Sequence, residues 1–184
     1  MSAAIELHAP FSAADAARLR AGDEVLLSGI VFTARDAAHE RLVQMLESGG
    51  SLPVDLRGQV LYYCGPTPAR PGRPIGSAGP TTASRMDAYT PPLLAYGVRG
   101  MIGKGRRSRE VREAIRRFRA VYFGAVEGTA ALLGERVRSA EVVAFPELGT
   151  EAVHRLVIED FPIVVVNDIA GGDLYEEGQS HYAR

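Results

Sequence analysis

Residues 65–105 constrain the fold more strongly than any other stretch, because they combine many glycines and prolines with few aliphatic side chains. Glycine allows a ligand to approach the main chain closely, and proline stiffens a loop and removes a backbone donor. A hydrophobic core does not need such a segment, and a flexible linker would not contain so many prolines. The segment is therefore interpreted as an active-site or binding platform.

The basic residue at position 104 is the second unusual feature of this segment. Lys104 lies between two glycines, and every other one of the 21 basic residues in the chain is an arginine. An ammonium group is a compact point charge on a flexible stem, which the planar guanidinium of arginine cannot replace. A lysine at position 104 could have been retained by chance on a surface turn. The flanking glycines, however, leave space around its side chain and favour a functional role.

Composition limits the class of protein. A chain of 184 residues with a net charge of −1 is typical of one globular domain without a general attraction to nucleic acid or anionic membrane. No apolar run approaches the roughly 18 residues of a membrane span, and the N-terminus lacks the layout of a signal peptide, so a cytoplasmic protein is expected. The single cysteine, Cys64, excludes an internal disulfide. CxxC and HExxH motifs are absent, so no metal held by this chain alone is expected.

Apolar periodicity predicts strands that alternate with helices, which is typical of a single α/β domain with a mixed sheet. Strands are predicted at residues 5–8, 24–32, 59–63, 98–102, 141–145 and 161–166. Helices are predicted after a capping box at Ser12 and Asp15, from residue 33 to the glycines at 49–50, and at 83–87, 93–96, 108–123 and 149–156. Residues 128–133 are expected to form a packed turn or short helix, and residues 171–184 a polar tail that is mobile or docked on a partner.

The predicted helix at 108–123 carries the clearest apolar stripe in the chain. The stripe consists of Val111, Ile115, Phe118 and Tyr122. The other faces are rich in arginine and could contact nucleic acid. On these faces, however, Glu110 and Glu113 reduce the positive charge, and no aromatic residues alternate with the arginines. A solvated face, or a contact with another subunit, is the preferred interpretation.

Two other segments contain further candidate residues: the start of the helix predicted after residue 33 and the segment that contains Thr81, Thr82 and Arg85. Arg35 and His39 lie on one face in the first turns of a predicted helix, where free N–H groups favour anions. By pattern alone, Arg35 fits an anion site and a local ion pair equally well, whereas His39 is better explained by a hydrogen bond within the fold. Thr81 or Thr82 could present a hydroxyl beside Arg85, although a threonine there is usually a helix cap.

Well-known phosphate and dinucleotide motifs do not explain these loops. The chain has neither a P-loop nor a G-x-G-x-x-G fingerprint after a strand. A threonine hydroxyl among three cations, Arg35, Arg85 and Lys104, remains. Bidentate arginine contacts match planar carboxylates, so the set suits a small dianion.

Four segments of the chain, residues 28–39, 63–68, 76–87 and 101–105, resemble one family and occur in the correct order. They are similar to the C-terminal domain of class I, iron–sulfur fumarate hydratases, which is equivalent to the β subunit of two-subunit fumarases and L(+)-tartrate dehydratases. The resemblance continues to the region of residue 168 and implies a swivelling β/β/α domain. It also implies a hydro-lyase that converts fumarate reversibly to L-malate, with dehydration of tartrate to oxaloacetate as the alternative.

The same resemblance implies roles for individual residues. Arg35, Arg85 and Lys104 would bind the substrate carboxylates, and Thr81 would be the catalytic proton-transfer residue. A threonine hydroxyl is a poor base, so Thr81 would have to be activated or act in a relay. Candidate secondary residues are Asp36, His39 and Thr82.

The resemblance implies a cofactor and a partner as well. The cofactor is a [4Fe–4S] cluster held by three cysteines of an α subunit rather than by this chain, and Cys64 is not assigned as a ligand. The expected state is a hetero-oligomer, and an exposed half-site could also self-associate. Residues 126–129 and His154 differ from the expected family pattern. A stand-alone module that binds a dianion without catalysis is the alternative from a different class, and nucleic-acid binding ranks below both.

Overall fold

The computed structural model describes residues 4–125 and 130–182. In this part of the chain, seven strands form a single sheet. They are β1 (Ile5–Ala9), β2 (Glu24–Thr33), β3 (Val60–Tyr62), β4 (Gly100–Gly103), β5 (Val121–Gly124), β6 (Val137–Ala144) and β7 (Val153–Asn167). Their spatial order is β1-β2-β3-β4-β5-β7-β6, so β1 and β6 are the end members.

Helices and short 3-10 segments connect these strands. They are α1 (Ala13–Arg18), α2 (Asp36–Glu47), α3 (Thr90–Tyr96), α4 (Arg109–Phe118), α5 (Ala130–Glu135) and α6 (Leu174–Tyr182), with 3-10 segments at Ala83–Met86 and Pro146–Glu151. Local sequence explains the start of α1, because Ser12 Oγ accepts the Asp15 N–H at 3.1 Å and Asp15 Oδ2 accepts the Ser12 N–H at 3.0 Å. The predicted capping box is confirmed.

The pairing of β7 makes the sheet mixed and closes part of it on itself. Strands β1 to β5 run parallel to one another, whereas β7 is antiparallel to β2, β5 and β6. Because β7 pairs with both β2 and β5, these strands form a ring with β3 and β4 between them. The α/β class with a mixed sheet is therefore confirmed. The carboxyl ends of β2, β3, β4 and β5 meet at one edge.

Alternate residues of β3 enter two hydrophobic cores, one on each face of the sheet. Val60 and Tyr62 belong to the core that includes residues of β1 and α1, and Leu61 and Tyr63 to the core that includes residues of α2, α3 and α4. Burial on both faces explains why this parallel strand reads as a continuous apolar run. Each fully buried aliphatic or aromatic side chain contributes about 1.5–3 kcal/mol to stability.

Helix α4 ends at Phe118, so the predicted helix to residue 123 is wrong at its C-terminal end. Arg119 adopts a left-handed conformation with φ of 55°, and the Ala120 N–H donates to the Ile115 carbonyl at 3.0 Å. This arrangement closes the helix. Tyr122 lies on β5 instead, and its match to the helical stripe is a coincidence of spacing within an aromatic and β-branched run that suits a strand.

The helix predicted at residues 149–156 is also wrong. The chain forms the 3-10 segment Pro146–Glu151 and then enters β7 at Val153. Gly149 interrupts that segment with φ of 60° and ψ of −119°. Pairing with β2 and β6 on both sides of β7 supplies long-range hydrogen bonds that the local pattern did not reveal. Strand β6 correspondingly begins at Val137, earlier than the predicted strand at 141–145.

The C-terminal segment contains helix α6, where a polar tail is predicted. Arg112 on α4 contacts Asp173 Oδ2 at 3.1 Å and also pairs with Glu176, so this end of the chain packs on its own domain. The turn or short helix predicted at 128–133 corresponds in part to α5, while residues 126–129, including the departures from the family pattern there, lie outside the described residues.

Among the residues that the structure describes, no helix combines the length and apolar character needed to cross a membrane.

Candidate anion-binding site

Arg35 and Lys104 follow two parallel strands at the same edge of the sheet. Arg35 comes shortly after β2, and Lys104 comes directly after β4. Strand β3 lies between them and leads into Cys64 and Gly65. Ligands of parallel α/β sheets bind in the crevice outside this carboxyl edge. Strand order therefore brings the Arg35 and Lys104 loops to one region, although they are far apart in sequence.

The threonine loop is attached to Lys104 through backbone hydrogen bonds. Thr82 and Lys104 form an isolated parallel β-bridge. The Lys104 N–H donates to the Thr81 carbonyl at 3.3 Å, and the Ala83 N–H donates to the Lys104 carbonyl at 2.8 Å. The Thr81 N–H donates to the Tyr63 carbonyl at 2.6 Å. Thr81 is thus held between the end of β3 and the lysine segment.

Asp36 links Arg85 to Arg35. Arg85 lies on the 3-10 segment Ala83–Met86, and its Nε donates to Asp36 Oδ1 at 2.9 Å. Asp36 Oδ2 lies 3.9 Å from Arg35 Nε, and both of these atoms are buried without a hydrogen-bond partner among the described residues. One carboxylate between two guanidinium groups offsets the repulsion between them, so the two arginines can remain in one patch.

Gly65 provides the space that the Arg35 side chain occupies. A Cβ atom at position 65 would lie 3.2 Å from both Cδ and Nη1 of Arg35, and 3.0 Å from the Thr150 carbonyl oxygen. These distances are shorter than most Cβ contacts, so a side chain at position 65 would displace Arg35 or the Thr150 carbonyl by a few tenths of an ångström. The glycine-rich loop after β3 therefore packs directly against one of the candidate cations.

Glu151 is a charged neighbour of Arg35 that the sequence did not reveal. Its Oε1 lies 3.5 Å from Arg35 Nη2. The residue belongs to the segment before β7, which the sequence pattern assigned to the wrong element. No local spacing connects the two positions, because only the pairing of β7 with β2 brings them together.

His39 lies in the core beneath the site and not among the exposed cations. Its side chain is fully buried, and Nδ1 lies 2.9 Å from the Arg35 carbonyl oxygen. The ring contacts Tyr63 edge-on, with centroids 5.1 Å apart. Burial lowers the pKa of His39 to about 4, although the hydrogen bond to Arg35 opposes this shift. His39 is thus neutral near pH 7 and supports the backbone from which Arg35 projects.

A buried arginine underlies the Lys104 loop, and no sequence motif pointed to it. Arg107 Nε donates to Asp87 Oδ1 at 2.7 Å, and Nη2 donates to Thr90 Oγ1 at 2.7 Å. The guanidinium carbon lies 4.8 Å from the ring centroid of Tyr122, whose hydroxyl donates to the Gly105 carbonyl at 2.9 Å. These contacts connect the loop after β4 to α3 and β5, so the backbone that bears Lys104 is held by buried hydrogen bonds and an ion pair.

A groove of about 550 Å³ opens beside the lysine and the threonine loop. Thr82, Lys104 and Gly105 form its polar side. The apolar side comes from β5, β7 and the beginning of α6, where Tyr175 is partly exposed. The groove joins cationic and apolar surface at the carboxyl edge of the sheet.

Cys64 does not have the properties of an exposed metal ligand. It is buried with 1% of its surface exposed, and burial raises the pKa of its thiol to about 12. Residues 4–125 and 130–182 contain no group of three or more histidine, cysteine, aspartate or glutamate side chains arranged to hold a metal ion. The described residues of this chain therefore do not fit an iron–sulfur cluster.

Two of the four arginines of α4 pair with acidic side chains. Arg109 Nε contacts Glu113 at 2.8 Å, and Arg112 contacts Asp173 and Glu176. These ion pairs reduce the positive charge that a nucleic acid would meet.

Comparison with known proteins identifies the family of this chain. The sequence model of a family described as "Fumarase C-terminus" matches residues 1–178. "Fumarate hydratase class I, anaerobic" of Escherichia coli K12 is 38% identical over 153 residues, which cover 82% of this chain and 28% of that protein. "Fumarate hydratase 2" of Leishmania major is 38% identical over 158 residues, which cover 85% of this chain and 28% of that protein.

A third relative is a much shorter protein. A Methanocaldococcus jannaschii protein provisionally named L(+)-tartrate dehydratase subunit beta is 36% identical over 169 residues, which cover 89% of this chain and 87% of the relative. This chain thus spans little more than a quarter of the two fumarate hydratases but most of the M. jannaschii protein. From the match to the family model and from these identities, we conclude that the chain belongs to the fumarase C-terminus family.

Proposed function

We propose that this chain is the β subunit of an iron–sulfur hydro-lyase that interconverts fumarate and L-malate together with an α subunit. The observation that supports this proposal best is the common edge shared by Arg35, Lys104 and the Thr81 loop. Two parallel strands and one backbone bridge bring these segments together. A hydroxyl-bearing loop beside several cations suits proton transfer on a dicarboxylate, because the cations can stabilise the negative charge that develops.

In this proposal the three cations, Arg35, Arg85 and Lys104, bind the two substrate carboxylates. A guanidinium can bind a carboxylate through two parallel hydrogen bonds, which fixes orientation as well as charge. Because Asp36 engages Nε of Arg85, the terminal nitrogens of Arg85 are the atoms proposed for the substrate. Lys104 contributes a point charge with less directional preference.

Thr81 is proposed to transfer the proton at the substrate carbon next to the one that bears the departing hydroxyl. When that proton leaves, negative charge develops on the adjacent carboxylate, and fixed cations stabilise this charge more strongly than that of the ground state. A free threonine hydroxyl is a weak base, so Thr81 is proposed to act within a relay. Its backbone bonds to Tyr63 and Lys104 would keep the main chain of Thr81 in a constant position during the reaction.

The iron–sulfur cluster is assigned in this proposal to the α subunit. Cys64 is buried with a raised pKa, and the described residues do not fit a cluster, so this chain is not proposed to ligate iron. When bound in the partner, a cluster with an open iron supplies a Lewis acid. The residues of this chain are proposed to bind, orient and deprotonate the substrate.

L(+)-tartrate is the second candidate substrate. The M. jannaschii relative named as a tartrate dehydratase subunit supports it, because the match covers 87% of that protein. The same relative supports the assignment of this chain to a separate subunit. Fumarate and tartrate are both four-carbon dicarboxylates, so the cations alone do not distinguish them.

The proposal is tested by anaerobic co-expression of this chain with an α-type subunit that carries three candidate cluster cysteines. After cluster reconstitution, turnover of fumarate and of L(+)-tartrate is followed by absorbance, with each subunit alone as a control. Turnover by the pair and by neither subunit alone is the expected result, and the faster substrate identifies the reaction. A pair that assembles with a full cluster but converts neither diacid would contradict the proposal and favour a non-catalytic dianion-binding module.

A further inference from the structure

Helix α2 begins without a capping side chain of its own. Arg35 occupies the N-cap position with an extended backbone, and its side chain makes no capping hydrogen bond. Serine, threonine, asparagine and aspartate are preferred there, because they accept hydrogen bonds from the free N–H groups of the first turn. An arginine at this position leaves those donors to another acceptor.

Glu151 supplies that acceptor from a distant part of the chain. Its Oε2 accepts the Ala37 N–H at 3.2 Å, which lies in the first turn of α2. Its second carboxylate oxygen, Oε1, lies 3.5 Å from Arg35 Nη2. One carboxylate thus caps the helix and contacts the guanidinium of the residue that stands in the cap position.

The segment that contains Glu151 is fixed against α2. Strand β7 begins at Val153, two residues after Glu151, and its pairing with β2 and β6 holds this part of the chain in place. Glu147 also pairs with Arg41 of α2, but both side chains are largely exposed, so this pair contributes little to the position of Glu151. The side chains of Arg35 and Glu151 are 24% and 27% exposed, so solvent screens their interaction only in part. A contact between anchored and partly buried groups can define the direction of a flexible arginine side chain.

We infer that Glu151 is a positioning residue of the anion site: it caps α2 in place of Arg35 and orients the Arg35 guanidinium. This inference rests on the proposed role of Arg35 in binding a substrate carboxylate. Replacement of Glu151 by a neutral residue would have two opposing effects on anion binding. Removal of a negative charge near the site should strengthen anion binding, whereas loss of orientation should weaken it. Orientation dominates in this inference, because bidentate recognition of a carboxylate depends on the direction of the guanidinium plane.

The test compares Glu151→Gln with Glu147→Gln. Glutamine at 151 keeps an oxygen that can cap Ala37 and removes the charge that contacts Arg35. Glu147 lies on the same segment and pairs with another arginine of α2, so it is a matched control. Binding of succinate, a four-carbon dianion that cannot be dehydrated, is measured by calorimetry on the chain alone and on the complex with its α subunit. We expect Glu151→Gln to raise the succinate Kd about fivefold and Glu147→Gln to leave it unchanged.

A double-mutant cycle with Arg35→Gln separates positioning from a general loss of structure. If Glu151 acts through Arg35, Glu151→Gln should have no further effect on the succinate Kd in the Arg35→Gln background. In the assembled enzyme, KM should rise with the Kd while kcat stays within about twofold. Circular dichroism verifies that each variant is folded, and Glu151→Asp replaces Glu151→Gln if the latter does not fold.

The outcomes distinguish this inference from the proposed function. Unchanged or tighter succinate binding by folded Glu151→Gln would overturn the positioning role. Succinate binding that depends on Glu151, together with no hydro-lyase turnover by the wild-type pair, would support the positioning role and contradict the proposed reaction. No succinate binding by the wild-type chain, either alone or with its partner, would overturn both the anion site and this inference.

Discussion

Thr82 and Lys104 pair as an isolated parallel β-bridge, which couples the threonine loop to the only lysine of the chain. The neighbouring backbone bonds extend this coupling, since Lys104 donates to Thr81 and accepts from Ala83. The position of the ammonium and the position of the threonine loop are therefore not independent. A change in the backbone at either segment should disturb both.

Substitution of the candidate cations provides the first prediction. In the proposed function, Lys104 and Arg85 stabilise the developing carboxylate charge, so Lys104→Ala or Arg85→Ala should lower kcat/KM of the assembled enzyme by about 10²–10³. Steady-state turnover measures the loss, and thermal unfolding should show that both variants remain folded.

Arg138→Ala is the matched control for Arg85→Ala. Both arginine side chains are 51% exposed, and both pair through Nε with a carboxylate, Glu159 in the case of Arg138. The control variant should keep wild-type kcat/KM. If the Arg85 and Arg138 variants both keep wild-type kcat/KM, Arg85 has no role in the site.

The second prediction concerns two ion pairs of similar length. Arg107 contacts Asp87 at 2.7 Å with a side chain that is 0% exposed, whereas Arg109 contacts Glu113 at 2.8 Å with a side chain that is 81% exposed. Arg107→Met should lower the free energy of unfolding by about 3–5 kcal/mol, because it leaves a carboxylate without its buried partner. Arg109→Met should cost about 0.5 kcal/mol or less. Urea denaturation measures both, and similar losses would contradict the structural assignment of Arg107.

The third prediction is a pH dependence that arises from His39. Burial lowers its pKa from 6.5 to about 4, so between these pH values the unfolded chain binds a proton that the folded chain does not. The free energy of unfolding should therefore fall as the pH is lowered through this window, by about 3 kcal/mol in total from this residue. Urea denaturation at pH steps from 7 to 4 should show a steeper loss in the wild type than in His39→Gln. Parallel curves would contradict a buried neutral His39.

The fourth prediction concerns Cys64. Its pKa of about 12, compared with 9.0 for an ordinary thiol, reduces the thiolate fraction at pH 8 by about three orders of magnitude. Iodoacetamide should therefore alkylate the native chain at least that much more slowly than the chain in denaturant, as followed by mass spectrometry. Rapid modification of the folded chain would show that the thiol is accessible and ionised.

Local sequence accounts for several elements and for the identity of the candidate residues. The capping box at Ser12 and Asp15 predicts the start of α1, because both hydrogen bonds join residues three positions apart. The apolar β-forming run at 24–32 predicts β2 closely. The motifs that resemble the family contain Arg35, Thr81, Arg85 and Lys104, and the family assignment is confirmed by the match over residues 1–178. The binding and catalytic roles of these four residues stay predictions.

What the sequence by itself determined is the set of elements stabilised by contacts within a few residues: the α1 cap, the glycine-rich loops, and the alternation of strands and helices. Only the tertiary structure decided that Tyr122 lies on β5, that β7 starts at Val153 within a predicted helix, and that Glu151 contacts Arg35. It also placed Arg107 in the core. The physical reason is that β7 gains its hydrogen bonds from strands distant in sequence, and that a buried ion pair forms only where separate elements meet.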